Sequence, residues 1–203
     1  MAELAPPVLA WSLIPVEDHS GSLFPEERAL IPKAVARRVR TFSSGRVAAR
    51  LALARAGWAQ PSEPILACGR APLAPAGWRL SISHTDDLAL AVACRAEEAA
   101  GLGVDIERID RMQPGMARHI VHAEDRFAPN AGALELTVAF SLRESLFKAL
   151  AAQDQQRVKT ATLRWEGSAI TAELVPPLPH VQLRHDWRVA AGHVVTLATR
   201  VAG

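Results

Sequence analysis

Three carboxylates and one lysine carry the chemistry legible in this chain. Gly103-Val104-Asp105-Ile106-Glu107 alternates apolar and acidic residues, so on a strand Asp105 and Glu107 point to one side while Val104 and Ile106 face a core. Further along, Phe140-Ser141-Leu142-Arg143-Glu144-Ser145-Leu146-Phe147-Lys148 has helical spacing, with Glu144 and Lys148 four apart on one face. Carboxylate oxygens suit a magnesium ion, and magnesium with a nearby cation suits a phosphate chain. Together the two motifs point to phosphate chemistry. Singly, each has a plainer reading. Asp105 and Glu107 could mark a strand end leaving a core, and Glu144 with Lys148 could be a surface i,i+4 pair. Arg143 falls near the apolar stripe of Leu142, Leu146 and Leu150, where a cation calls for a phosphate or carboxylate partner, because a buried unpaired charge is costly.

The elements that would position these groups can be read in order. Pro25-Glu26-Glu27-Arg28 opens a helix with proline and acids in its first turn. Lys33 to Ala56 is rich in Ala, Arg and Leu and reads as a helix stopped by Gly57. Residues 59–79 read as loops. Leu80–Ser83 and Leu88–Cys94 read as strands joined by His84-Thr85-Asp86-Asp87, and Leu102–Ile106 as a third. Residues 114–127 are mixed and partly helical. The clearest helix spans 133–153, followed by strands near 160–166, 168–175, 181–190 and 193–201, with turn signals at Gly167-Ser168 and Ala191-Gly192. Helix then antiparallel meander, twice over, predicts an α+β pseudo-dimer of two similar halves, 1–100 and 101–203, with the active site in a cleft between them.

Bulk composition narrows the classes. The 203 residues are 49% hydrophobic and 22% charged, which suits packed cores and not disorder. A net charge of +2 is too small to argue for nucleic acid. The segment Met1 to Pro7 has neither the basic region nor the apolar run of a signal peptide, and no window reads as a membrane span. Cys68 and Cys94 lie far apart outside any CxxC pattern and read as free thiols of a cytoplasmic protein. His119 and His122 lack an evident third ligand, and Trp58, Trp78, Trp165 and Trp187 read as packing.

With these residues in view, the chain resembles the Sfp-type 4′-phosphopantetheinyl transferases, in particular the branch typified by enterobactin synthase component D. That family carries a Gly-Ile/Val-Asp-Ile/Val-Glu strand and then Phe/Trp-Ser-x-Lys-Glu-Ser/Ala-x-x-Lys. This chain has GVDIE and FSLRESLFK. Two upstream blocks agree: Phe42-Ser43-Ser44-Gly45-Arg46-Val47-Ala48-Ala49-Arg50, and Gly69-Arg70-Ala71-Pro72 followed by Ser81-Ile82-Ser83-His84. The resemblance covers residues 25 to 152.

It implies a monomeric, magnesium-dependent enzyme of the holo-[acyl-carrier-protein] synthase type. Such an enzyme moves 4′-phosphopantetheine from coenzyme A to a serine of an apo acyl or peptidyl carrier protein and releases 3′,5′-ADP. By the same resemblance, Asp105, Glu107 and Glu144 hold magnesium on the pyrophosphate, and Glu144 doubles as base for the serine. Lys148 neutralises the transferred phosphate or protonates the leaving group. Arg46 and Arg70 contact the adenine and 3′-phosphate end, while Ser83, His84 and Arg143 meet phosphates. Arg143 departs from the family's usual lysine; arginine keeps the charge but does not give up a proton. Arg37, Arg38 and Arg40 are a further basic run, and residues 112–127 are candidates for carrier contact. A non-catalytic coenzyme A or nucleotide-binding module on the same fold is the competing expectation.

Overall fold

The chain builds one arrangement of elements twice. The structure, a computed structural model, describes residues 7–59, 63–126, 132–166, 169–175, 177–178 and 181–201. It divides into two compact units, with the boundary between Leu102 and Gly103.

In the first unit, strand β1 (Ala10–Pro15) is followed by a single helical turn α1 (Pro25–Arg28) and the long helix α2 (Ala36–Arg55). A two-residue hairpin, β2 (Ala67–Cys68) and β3 (Ala71–Pro72), leads to β4 (Trp78–His84) and β5 (Leu88–Arg95). The sheet order is β1-β5-β4, antiparallel throughout, with Ala91 of β5 opposite both Ser12 and Ile82. Helix α2 lies on this sheet through small side chains: Ala48, Ala49 and Ala52 share a buried cluster with Ala89, Ala91 and Ala93. Alanine meeting alanine lets a helix sit close to a strand, and Leu53, Trp58, Trp78 and Leu80 fill the margins.

The second unit repeats the plan. Strand β6 (Gly101–Arg108) begins just before the boundary, and a one-turn helix α3 (Ala117–Ile120) precedes the long helix α4 (Ala133–Ala149). The hairpin β7 (Thr162–Glu166) and β8 (Ala169–Glu173) then leads to β9 (Leu183–Ala190) and β10 (His193–Arg200). Here the order is β6-β10-β9, with β9 and β10 antiparallel. In both units the first strand is an edge, the last is central, and the long helix and a small hairpin come between the first and second strands. The repeat is thus one of topology, carried by no visible sequence repeat.

Most expected elements form, including α4 and all four strands after it, although Gly167 and Ser168 lie outside the described residues. Strand β1 departs from the reading, which placed no strand before Pro25. Its pattern is inverted, with Ser12 1% and Leu13 53% exposed, and Pro15 ends it at a sheet edge where a missing N–H is tolerated. The expected loop at 59–79 contains β2 and β3, whose turn uses Gly69 at φ +58°. Cys68 and Cys94 are free, and no described helix is long and apolar enough to cross a membrane.

Candidate active site

Helix α4 and strand β6 approach so closely that a side chain on Gly103 has no room. A Cβ there would lie 1.9 Å from the Ser145 carbonyl oxygen and 2.8 Å from the Ala149 nitrogen. The helix face turned to the sheet is likewise small and polar. Ser141, Ser145 and Thr137 are fully buried, the Thr196 hydroxyl donates to the Ser141 carbonyl at 2.8 Å, and the two hydroxyl oxygens are 2.9 Å apart. Gly103, Asp105 and Glu107 share one side of β6 by strand alternation, so the glycine that meets the helix backbone brings the two carboxylates beside its last turns.

There Lys148 reaches back to the strand. Its Nζ donates to the Val104 carbonyl at 2.9 Å and to Asp105 Oδ1 at 2.8 Å. Asp105 is buried, and its alternating neighbours Val104 and Ile106 are buried too. Glu107 is half-buried, and burial pushes its carboxyl up to about 7, reinforced by the charge of Asp105; Arg111 and Lys148 oppose this and Glu144 adds to it. Asp105, Glu144 and Lys148 thus all lie near enough to Glu107 to act on its charge.

Among the described residues, no three His, Cys, Asp or Glu side chains form a ready-made metal cage. The donor set still fits a hard divalent cation. Its groups are carboxylate oxygens, with Asp105 buried and Glu107 half-buried on the same side of β6. Magnesium is commonly held by one or two carboxylates, with water and substrate phosphates completing its shell, so a closed cage is not required.

Arg143 meets a carboxylate, one of the two partners its position demanded. Its Nη2 lies 2.8 and 2.7 Å from the two Asp125 oxygens, and only 11% of its side chain is exposed. A pocket of about 290 Å³ opens beside it, lined by Glu144, Phe140, Phe147, His119, His122 and Lys159 among others. His119 takes a hydrogen bond from Arg118 Nε at 3.0 Å and lines the same pocket as Glu144.

The first unit holds the other expected residues. Arg46 is 6% exposed, its guanidinium stacked over Phe42 at 4.4 Å and donating to the Leu66 carbonyl at 3.4 Å. Desolvation lowers its pKa to about 10. Arg46, expected at the adenine and 3′-phosphate end of coenzyme A, is buried inside its own unit. Arg70 is exposed at the hairpin turn, Ser83 is buried near the end of β4, and His84 is exposed at that end. Arg37 pairs with Asp86 at 2.5 Å, and both line a pocket of about 220 Å³ with Arg40, Thr41 and Val16. Sequence reading missed Gly103 as a contact residue, and it missed Asp125 and Glu27. The alternation of GVDIE carried a signal for Gly103; nothing local marked the other two.

A sheet-and-helix unit is laid down twice, and its second copy brings Asp105 of β6 against Lys148 of α4, within the α+β class. Residues 26–94 match the 4′-phosphopantetheinyl transferase N-terminal domain and residues 101–198 match the 4′-phosphopantetheinyl transferase superfamily; the chain belongs to that superfamily. It is similar to 4′-phosphopantetheinyl transferase Svp of Streptomyces mobaraensis, 35% identical over 66% of this chain and 56% of that protein. It is also similar to enterobactin synthase component D of Salmonella typhi, 29% identical over 78% of this chain and 70% of that protein. The match thus spans little more than half the length of the Streptomyces relative.

Proposed function

We propose that the chain transfers 4′-phosphopantetheine from coenzyme A to a serine hydroxyl of an apo carrier protein, with magnesium, releasing 3′,5′-ADP. The observation that carries this reading is the convergence of Asp105, Glu107, Glu144 and Lys148 at the contact of β6 with α4, inside a chain of this superfamily. Magnesium, held by Asp105 and Glu107 with Glu144 at its side, would supply charge stabilisation to the pyrophosphate.

The chain's own groups do the rest. A serine hydroxyl is a weak nucleophile until a base takes its proton, and the base in this reading is the Glu144 carboxylate, which lines an open pocket. The serine oxygen then bonds to the phosphorus as the bond to 3′,5′-ADP breaks. Lys148, moored on Asp105 and the Val104 carbonyl, brings its ammonium to the charge that develops. Arg70 and His84, both exposed, with Ser83 beside His84, are the residues of the first unit that the family motif assigns to coenzyme A.

Weighing an apo carrier protein after incubation with coenzyme A and magnesium tests the reading. A mass gain of one phosphopantetheine arm is expected. Coenzyme A binding without any gain, across acyl and peptidyl carriers, would instead establish a binding module. A carrier of siderophore assembly is the first to try, given the enterobactin relative.

A further inference from the structure

No motif announces Asp125, yet its side chain is wholly buried. Its Oδ2 accepts the His122 N–H at 2.7 Å, its Oδ1 accepts the Leu163 N–H at 2.7 Å, and both oxygens face Arg143 Nη2 at 2.7 and 2.8 Å. Arg143 also donates to the carbonyls of Ile120 at 2.9 Å and Ala161 at 3.2 Å. One carboxylate and one guanidinium therefore tie together three stretches distant in sequence: the turn after α3, the start of β7, and α4 at the residue before Glu144.

Arg143 of this pair lines the pocket beside Glu144, with Asp125 buried behind it. Ile120 and His122 of the tied turn form one wall, and Phe140, Glu144 and Phe147 of α4 form another. Arginine suits this work because its planar fork spreads several donors over fixed directions, where a lysine would offer a single point charge. Arginine also keeps its proton, so the pair can hold geometry but cannot pass a proton along.

We propose that Asp125 is a positioning residue: through Arg143 it sets the wall Ile120 to His122 against Glu144, where an acceptor presents its hydroxyl. This rests on Glu144 acting as the base. Arg143 is then an internal strut of the second unit and not a coenzyme A ligand.

Removing one member of a buried pair strands the other charge, whereas removing both does not. This separates positioning from mere stability. Asp125→Asn and Arg143→Met should each lower the melting temperature, and the double variant should regain most of it. Carrier-modification kinetics, run well below the lowest melting midpoint so that all the enzyme is folded, give the decisive reading. The double variant should keep kcat about tenfold or more below wild type, since small misplacements of reacting groups are costly. Its KM for coenzyme A should stay within about twofold. A double variant with wild-type kcat overturns the proposal. So does one whose loss lies wholly in KM for coenzyme A, which would make Arg143 a substrate ligand. Glu144→Gln is measured alongside. If it turns over normally, the base assignment falls and the proposal falls with it. If it is inactive while the double variant is normal, the positioning role alone falls.

Discussion

At the scale of single residues, the candidate site is a contest between like charges and the groups that relieve them. Asp105 is nearly inaccessible and is met by Lys148 at 2.8 Å, while Glu107 beside it is pushed up to about 7 by burial and by Asp105. Because the folded protein favours the protonated form of Glu107, its contribution to stability is full below about pH 4.5 and is lost as pH rises through about 7. Magnesium-free protein should therefore lose melting temperature over that window more steeply than Glu107→Gln, measured by calorimetry across pH. Lys148→Met leaves Asp105 buried without its ammonium. Lys148 is 26% exposed, so the loss is set below that of a fully buried pair, at roughly 2–3 kcal/mol, read from denaturant unfolding. Glu144→Gln should fold normally and lose about 10²- to 10⁴-fold in kcat if Glu144 is the base. Wild-type turnover in that folded variant would remove it from the role.

Among elements, the decisive contact is α4 on β6. Gly103 is required there by space and not by backbone conformation, since a Cβ would meet the helix backbone, which cannot swing aside as a side chain can. Gly103→Ala should lower stability by about 3 kcal/mol, the upper end for overpacking, and shift the melting temperature by roughly 10 °C. Gly115→Ala, with nothing within 4 Å of its added carbon, is the control and should barely change it. The serines of the α4 motif belong to the same contact, since Ser141 and Ser145 face the sheet and keep the distance short. Periodicity made α4 and the later strands legible, because each has one buried face. It did not reveal β1, whose buried Ser12 and exposed Leu13 invert the usual pattern. The burial of Arg46 was hidden for a related reason: stacking on Phe42 lets a charged side chain stay inside α2's contact, which residue type alone does not show.

The whole molecule is two units of one topology, each with its own buried cluster. The first is braced by Glu27, whose side chain is 0% exposed and accepts from Arg50 at 2.7 Å, the Ile65 N–H at 2.9 Å and the Phe24 N–H at 3.1 Å. Glu27→Ala strands Arg50 and two backbone donors, so hydrogen exchange should quicken first in β1, β4 and β5, the sheet of its own unit. The α+β class and the shared side of Asp105 and Glu107 were legible in local alternation and helical spacing, which any stretch of chain reports about itself, and the family in the resemblance of its ordered motifs. Only the tertiary structure decided that Gly103 admits the helix, that Arg143 binds Asp125, and that Arg46 is buried. Each depends on which distant backbone or charge arrives beside the residue, and a buried side chain's partner is fixed by packing rather than by its neighbours in sequence.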